Sequence, residues 1–269
     1  MSAAGKTLAL LSFFSASRPE IGLSEFCKLA KRDKATTYRH LQTLEESGFI
    51  EQDALTKRYR LGPIVLQLAQ TREITVPRKR GTEAPLLALA EATGETSHVS
   101  VLSGTTVYAL AACESRQHSI RAIVDIQTFP LHATASGLCT LAFGPDTLFD
   151  VAVANMEQFT TNTIVTQTEL ESAVATVRET GFAWSNRSFE DDIQSVSAPL
   201  FDQTGAFAGT VTVAAVAARV APGIAPSIQR YLITASRDIT RNWGGSVPQD
   251  IEAIWSRTLS NPHMLERAS

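Results

Sequence analysis

The stretch Lys34–Gly62, KATTYRHLQTLEESGFIEQDALTKRYRLG, decides the class of the first domain. Thr37, Leu41 and Leu44 recur at i, i+4 and i+7, which predicts a helix over 34–47 with one buried stripe. The opposite side of its first two turns carries hydrogen-bond donors and no acid: Lys34, Thr36, Arg39 and His40.

The flanking residues predict how this helix begins and ends. Asp33 is a good N-cap and Gly48 is a good helix stop. Alternating residues then predict a hairpin around the basic turn 53–57. Two shorter helices, over about 6–16 and 24–30, precede the stretch. This order of helices and hairpin is that of a winged helix-turn-helix.

The predicted helix and hairpin carry the chemistry needed to bind duplex DNA. Arg and Lys supply the phosphate contacts, and side chains at the helix N-terminus read bases in the major groove. We expect Arg39 to bind a phosphate or a guanine edge, and Thr37 to pack or to contact the DNA backbone. The predicted DNA-contacting residues are Lys34, Thr36, Thr37, Arg39, His40, Lys57 and Arg58.

Charge is distributed unevenly along the chain. Residues 1–81 hold 14 Lys and Arg against 8 Asp and Glu, whereas 82–269 hold 10 against 19. There is no lysine after Lys79. A basic N-terminal part joined to an acidic C-terminal part predicts that the first part binds polyanions and that the second has a different function.

The bulk sequence argues against several classes of protein. No apolar run approaches the ~20 residues that span a bilayer, and the start lacks a secretory signal pattern, so we expect a cytoplasmic protein without membrane contact. The three cysteines have no CxxC spacing, which argues against a disulfide framework or a zinc site. We predict no cofactor, no metal and no catalytic residue, because no catalytic motif is present.

The remainder predicts an α+β domain with an antiparallel sheet, because strands and helices alternate irregularly with short turns. The expected strands lie near 99–102, 106–110, 120–124, 193–200 and 207–216. The expected helices lie near 64–73, 83–92, 135–143, 146–156, 168–180 and 224–242.

Several short motifs occur together in one order. They are KATTYRHL at 34–41 with Leu44 and Gly48, RYRLG at 58–62, PLHATASG at 130–137, FTTNTI at 159–164, Arg178 with Gly181, and APLFD at 198–202 followed by Gly205. In this combination the chain resembles the IclR family of bacterial transcription regulators. The resemblance implies a winged helix-turn-helix, a linker helix and a GAF-like effector-binding domain. It also implies dimers or tetramers whose binding to operator DNA changes with a small molecule, often an organic or aromatic acid.

The domain organisation follows from these patterns and from the resemblance. We predict a DNA-binding domain over 1–62, a linker helix over 63–81 and an effector-binding domain over 82–242. Residues 243–269 extend past the usual end of the family and have no predicted role. Lys31 and Asp192 stand where the family usually has glycine.

The effector site is predicted at a helix N-terminus. Thr134, Ala135, Ser136 and Gly137 open a helix whose free N–H groups favour an anion such as a carboxylate. The resemblance places the pocket between this helix and the last strands. The residues predicted there are Ser197, Pro199, Thr212 and Ala214, with Asp192 beside them and Val99, Val101, Tyr108 and Leu110 as an apolar lining.

Three other functions remain open from the sequence. Cys113 or Cys139 could make the protein a thiol-based redox sensor, which requires an accessible thiol of lowered pKa. A GAF-like domain could also host catalysis, or could serve only for oligomerisation.

Overall fold

The computed structural model describes residues 2–15, 17–75, 77–219 and 225–261. The chain forms two compact units, Met1–Pro77 and Arg78–Ser269. Within the described residues, no helix is long and apolar enough to cross a lipid bilayer.

The first unit is a winged helix-turn-helix. Its elements are α1 (Ala3–Leu8), α2 (Leu23–Ala30), α3 (Lys34–Glu46), β1 (Ile50–Gln52), β2 (Tyr59–Leu61) and α4 (Pro63–Thr75). β1 and β2 are antiparallel, and Ile21 forms a bridge to Tyr59 on the other side of β2. Phe26, Leu41 and Tyr59 are buried in one core that joins α2, α3 and the hairpin.

The predicted start and stop of α3 are confirmed. The Thr36 N–H donates to the Asp33 carboxylate at 2.8 Å, and Gly48 adopts a positive φ of 71°. Lys31 takes the left-handed conformation at the C-cap of α2, with φ of 50°, at the position where glycine was expected. The turn between α2 and α3 therefore has its usual geometry in spite of the lysine.

Two predicted helix boundaries differ from the structure. The first helix was expected over about 6–16, but α1 begins at Ala3 because the Gly5 N–H donates to the Ser2 hydroxyl at 3.1 Å. Leu11–Phe13 forms a separate 3-10 turn, and residue 16 lies outside the described residues. The linker helix was expected over 63–81, whereas α4 ends at Thr75 and Arg80–Thr82 forms a second 3-10 turn.

The second unit is an antiparallel sheet covered by helices. Its strands are β3 (Thr96–Ser103), β4 (Thr106–Cys113), β5 (Thr128–Phe129), β6 (Ala183–Asn186), β7 (Ile193–Phe201) and β8 (Phe207–Val216), in the order β5-β4-β3-β8-β7-β6. Its helices are α5 (Glu83–Thr93), α6 (Ala135–Phe143), α7 (Leu148–Ala154), α8 (Gln167–Thr180), α9 (Ala225–Asn242) and α10 (Gln249–Ser260). Together with the first unit, this confirms the α+β class.

Each face of the sheet has its own apolar core. On one face, Leu86 of α5 and Leu232 of α9 pack with Val99 and Val211 of the central strands. On the other face, α6 lies against the sheet and α7 and α8 contribute to its core, with Leu138 and Leu170 buried between them. Side chains alternate between the two faces along each strand, so the parity of a residue decides which core it joins.

The segment Ile120–Val124 is not a strand, which corrects the prediction. Its backbone carbonyls accept side-chain hydrogen bonds instead of ladder bonds. Thr96 donates to the Ala122 carbonyl at 2.7 Å, and Arg219 donates to the Ile120 carbonyl at 2.8 Å. Arg219 also forms an ion pair with the buried Glu95, so the segment is held as a loop across the end of the sheet.

The C-terminal residues that had no predicted role belong to the second unit as far as the structure describes them. Trp255 of α10 is fully buried against Phe182, and its indole N–H donates to the Gly181 carbonyl at 3.0 Å. Thr258 donates to the Thr180 carbonyl at 2.8 Å. α10 therefore closes the core where α8 ends. Residues 262–269 lie outside the described residues.

Candidate functional site

The exposed side of α3 in the first unit carries free positive charge. Lys34 and Arg39 are exposed and make no ion pair within the described part of the chain. Thr36 is half-buried in the first turn, beside the capping Asp33. Such unpaired cations at a helix start can bind phosphates or base edges without first breaking an internal contact.

Two other residues predicted on α3 make contacts inside the unit. Thr37 is fully buried, and its hydroxyl donates to the Asp33 carbonyl at 2.8 Å. Its side chain therefore packs, as the helical stripe predicts, and it has no exposed group to offer to DNA. The His40 Nδ1 lies 2.7 Å from the Thr7 hydroxyl of α1. Burial lowers the pKa of His40, and the nearby Arg32 adds to the effect.

The hairpin presents one of its two predicted cations freely. Lys57 is exposed in the turn, with φ of 56°, and forms no ion pair among the described residues. Arg58 instead donates to the Glu20 carbonyl at 2.6 Å and to the Glu25 carboxylate at 3.1 Å. Arg58 is thus committed to holding the hairpin against the start of α2, where Glu25 lies.

A cavity of about 60 Å³ lies in the second unit between the start of α6 and the sheet. The loop at 122–126 closes one side, and the loop that precedes β7 closes another. Within the part of the chain that the structure describes, its lining contains hydroxyl, aromatic and aliphatic side chains, the carboxylate of Glu190, and no lysine or arginine: His98, Ala122, Ile123, Val124, Ile126, Phe129, Thr134, Ala135, Ser136, Ser185, Phe189, Glu190, Ile193, Ser195, Thr212 and Ala214.

Five of the predicted effector residues come together in this cavity: Thr134, Ala135, Ser136, Thr212 and Ala214. The cap of α6 is well formed, because the Thr134 hydroxyl accepts from the Gly137 N–H at 3.0 Å. The cap leaves the N–H groups of Ala135 and Ser136 at the start of the helix, beside the cavity.

Gly137, Asp192, Ser197 and Pro199 do not line the cavity. A Cβ at Gly137 would clash with the Pro130 carbonyl, so this glycine allows α6 to pack closely on the preceding loop. Asp192 is exposed, and it is Glu190 of the same loop that borders the cavity. Ser197 is fully buried behind Thr212, to which it is hydrogen-bonded at 2.8 Å.

Pro199 lies further along β7, paired with Thr210, and its carbonyl accepts from Ser236 at 2.6 Å. The four residues expected as an apolar lining also lie elsewhere. Val99 and Leu110 join the core under α5 and α9, and Tyr108 is 43% exposed. Val101 is half-buried and does not border the cavity. These residues have the opposite parity to the strand residues that face α6.

Several lining residues were missed in the sequence, chiefly His98, Ser185, Ser195 and Phe129. Ser195 could have been predicted from the sequence, since it lies two positions before Ser197 on β7 and therefore points to the same face of the sheet. His98 was missed because its neighbour Val99 was assigned to the cavity face, which reverses the parity of β3. The register of the strands shows which side chains share the face toward the cavity, because His98 lies opposite Thr212 and Ala214 lies opposite Ser195.

His98 is the buried titratable group of the cavity. It is 4% exposed and stacks on Phe129, with ring centroids 4.9 Å apart and planes 4° apart. Its Nε2 lies 3.2 Å from the Ser136 hydroxyl, and its Nδ1 has no hydrogen-bond partner among the described residues. Burial lowers the pKa of His98 to about 4, so the ring is neutral at neutral pH.

The cysteines and acids offer little other chemistry. Cys139 of α6 is fully buried, and burial raises the pKa of its thiol far above the usual range. Such a thiol is a poor nucleophile because the thiolate is the reactive form. Among the described residues, no group of three or more His, Cys, Asp or Glu side chains could hold a metal ion.

Comparison with known proteins identifies both units. Residues 79–241 match the family described as bacterial transcriptional regulator IclR, C-terminal, and residues 3–54 match the IclR helix-turn-helix domain. The sequence is 23% identical over 241 residues to the HTH-type transcriptional regulator XynR of Escherichia coli, covering 89% of this chain and 96% of that protein.

Solved structures show the same fold. A crystal structure assigned as an IclR transcriptional regulator from Silicibacter sp. TM1040 has a TM-score of 0.84 at 35% identity, covering 93% of this chain and 99% of that one. An IclR homolog from Microbacterium hydrocarbonoxydans, solved in complex with 4-hydroxybenzoate, has a TM-score of 0.74 at 16% identity. It covers 90% of this chain and 99% of its own.

Proposed function

Because the chain belongs to the IclR family of bacterial transcriptional regulators, we propose that its first unit binds operator DNA under the control of an effector held by its second unit. The observation that carries the effector half is the cavity at the N-terminus of α6, where buried hydroxyls and helix N–H groups converge. The observation that carries the DNA half is the free cationic side of α3.

We propose that some of the predicted residues contact DNA directly and that others fix the structure of the first unit. Lys34, Thr36 and Arg39 lie on the exposed side of α3 and enter the major groove, and Lys57 of the hairpin turn meets phosphate. His40 holds Thr7 through Nδ1 and, among the described residues, has Nε2 left for a DNA contact. Thr37 and Arg58 act indirectly, by fixing α3 and the hairpin. The support is that Lys34, Arg39 and Lys57 have no competing ion pair in the described residues, whereas Arg58 has one.

For the effector we propose a small organic acid, whose carboxylate is bound by the Ala135 and Ser136 N–H groups. The positive end of a helix stabilises an anion even where no basic side chain is available. The relative bound to 4-hydroxybenzoate supports an acid as the class of ligand. A cavity of about 60 Å³ is small beside the ~150 Å³ that accommodates benzene. The size therefore favours a short aliphatic acid over an aromatic one.

We propose that the DNA-binding part extends over 1–62, that α4 and the residues after it to 81 connect it to the effector part, and that the latter extends to 242. α10 then acts as an added structural support. Effector binding shifts the population between DNA-binding and non-binding states through this connection. Leu66, Leu68 and Ile74 of α4 are at least half exposed, which supports self-association into a dimer or tetramer. The protein acts in the cytoplasm, where it meets operator DNA.

Rival functions have less support from the geometry. Ser136 and His98 are adjacent, as in a nucleophile–base pair, but no carboxylate of the described residues contacts His98 Nδ1 to orient the ring. A redox function at Cys139 conflicts with the raised pKa and burial of its thiol. Cys113 is half-buried and remains open to a thiol titration with and without oxidant, compared with DNA affinity.

The test is a fluorescence anisotropy titration of the full chain with DNA from upstream of its own gene and of the adjacent genes. A set of organic acids is first screened by thermal shift, since a bound ligand stabilises the folded state. The proposal expects sequence-specific binding that a stabilising acid strengthens or weakens. A DNA affinity that no stabilising acid changes would refute effector control. An affinity equal to that for random DNA would refute operator recognition.

A further inference from the structure

Phe189 forms part of the cavity wall, in the loop between β6 and β7. It is half-buried and borders the cavity. Its ring contacts that of Phe159, with centroids 4.9 Å apart and planes 60° apart, and the Phe159 ring stacks in turn on His132 at 5.9 Å. His132 is 3% exposed, so this row of rings begins in the buried segment before α6 and ends at the cavity.

The motif FTTNTI at 159–164 holds the backbone of this loop. Thr160 donates to the Arg187 carbonyl at 2.7 Å, and Thr163 donates to the Ser188 carbonyl at 2.6 Å. Both threonines are buried. Arg187 has φ of 56°, a conformation that a residue other than glycine keeps only where its surroundings impose it. The two hydroxyls therefore fix the two residues that immediately precede the phenylalanine of the cavity wall.

Thr163 also organises the motif itself. Its hydroxyl accepts from the backbone N–H of Phe159 at 3.0 Å and from that of Thr160 at 2.8 Å. One side chain thus joins the residue on which Phe189 packs to the loop that carries Phe189. Because buried hydrogen bonds are costly to break, the position of the Phe189 ring is set by contacts outside the cavity.

We propose that Phe189 sets the upper limit on the size of the effector, so that the site takes short aliphatic acids and excludes acids with an aromatic ring. This role rests on the proposed function, because it assumes that the effector occupies this cavity. The space is about 60 Å³, against the ~150 Å³ that accommodates benzene. An aromatic acid would need the volume that the Phe189 ring occupies, and the threonine contacts keep that ring in place.

Among the described residues, the other phenyl ring of the lining belongs to Phe129. It is 6% exposed, stacks on His98 and is part of the core under α6. Its size is therefore constrained by packing within the unit as well as by any ligand. Phe189 lies in a loop and belongs to neither core of the unit, so its size can follow the size of the effector.

The experiment measures the affinity of the full chain for carboxylates of increasing size by calorimetry at pH 7.5. The probes are acetate, propionate, butyrate, hexanoate and benzoate. Phe189→Leu and Phe189→Ala reduce the side chain in two steps, so a graded change in selectivity is distinguished from a loss of folding. Phe149→Ala removes a half-buried ring of α7 that does not border the cavity, and it is the matched control.

The wild-type protein is expected to bind at least one short acid roughly tenfold or more tightly than benzoate. Phe189→Leu should reduce this ratio and Phe189→Ala should remove or reverse it, because the protein loses the phenyl group that the ligand brings. Phe149→Ala should retain the ratio. Benzoate bound as tightly as the short acids by the wild-type protein, or a ratio that neither substitution of Phe189 changes, overturns the inference and leaves the proposed function intact.

A failure of the proposed function gives a different result. If the wild-type protein binds none of the five acids, the size limit assigned to Phe189 is wrong. If, in addition, no acid of the thermal-shift screen changes the affinity for operator DNA, effector control fails with it.

Substitutions of Thr163 test whether the motif positions Phe189. Thr163→Val keeps a similar volume and removes the hydroxyl, whereas Thr163→Ser keeps the hydroxyl. Thr163→Val should lower the preference for short acids over benzoate, and Thr163→Ser should retain it. Thermal midpoints of the same proteins separate a change in stability from a change in selectivity. The same preference in the wild-type and the folded Thr163→Val proteins would overturn the positioning role of the motif.

Discussion

His98 makes the stability of the protein depend on pH in a window set by its burial. Burial holds the pKa of His98 at about 4 in the folded chain, against ~6.5 for an exposed histidine. Between these values the unfolded chain binds a proton that the folded chain does not, so the free energy of unfolding falls as pH falls. The contribution is fully present above pH ~6.5 and is lost as pH drops through ~4.

The size of the effect follows from the two pKa values. Each pKa unit corresponds to ~1.36 kcal/mol, so lowering the pH from 7.5 to 4.5 removes roughly 2–3 kcal/mol through this one group. Carboxylates also titrate in this range. The useful quantity is therefore the difference in the free energy of unfolding between the wild-type protein and His98→Gln, because the other titrating groups are the same in both.

The assay is urea unfolding followed by circular dichroism at pH 7.5, 6.0 and 4.5, with linear extrapolation to water. The difference in the free energy of unfolding between the wild-type protein and His98→Gln should change by roughly 2–3 kcal/mol across this range, to the disadvantage of the wild-type protein at low pH. Parallel pH profiles for the two proteins would show that His98 titrates normally, and the argument from burial would then be refuted.

Three further substitutions test other parts of the structure. Trp255→Ala should destabilise the protein by roughly 3–5 kcal/mol, because it removes a fully buried indole and its hydrogen bond to Gly181; an unchanged midpoint in urea would show that α10 is not part of the core. Arg39→Ala should lower operator affinity roughly tenfold or more without loss of stability, and Arg58→Ala should cost at most ~1 kcal/mol of stability with a smaller effect on DNA. The reverse ranking in a gel-shift assay would remove Arg39 from the interface.

The local features of the first unit could be predicted from sequence because short-range physics decides them. Asp33 caps α3 and Gly48 ends it, and Thr37, Leu41 and Leu44 form its buried stripe, as expected. The family and the α+β class are likewise confirmed. The contacts of Arg58 were not predictable, since Glu25 lies far from it in sequence and only the fold brings the two together.

The cavity was harder to predict than the fold. The start of α6 was recognised because helix caps leave a sequence signature at Thr134. The face of each strand that borders the cavity was not recognised. Both β3 and β8 are buried on both sides, so hydrophobic alternation no longer identifies one face. His98 and Ser195 became visible only through the register of β3, β8 and β7.

The role of α10 could not be read from sequence either. Trp255 contacts Phe182 and Gly181, which precede it by more than 70 positions, so its burial depends on long-range packing. The same limit applied to the segment Ile120–Val124, whose apolar residues suggested a strand. Side-chain hydrogen bonds from Thr96 and Arg219 hold it as a loop beside the cavity.

Operator recognition requires that the basic first unit bind a particular duplex DNA through α3. The most direct measurement is competition binding at low salt, in which the full chain is titrated onto DNA from upstream of its own gene and then challenged with random DNA of equal length, with and without stabilising acids. The upstream fragment should remain bound at random-competitor concentrations that displace a scrambled control fragment. Equal displacement of both fragments under every condition would contradict it.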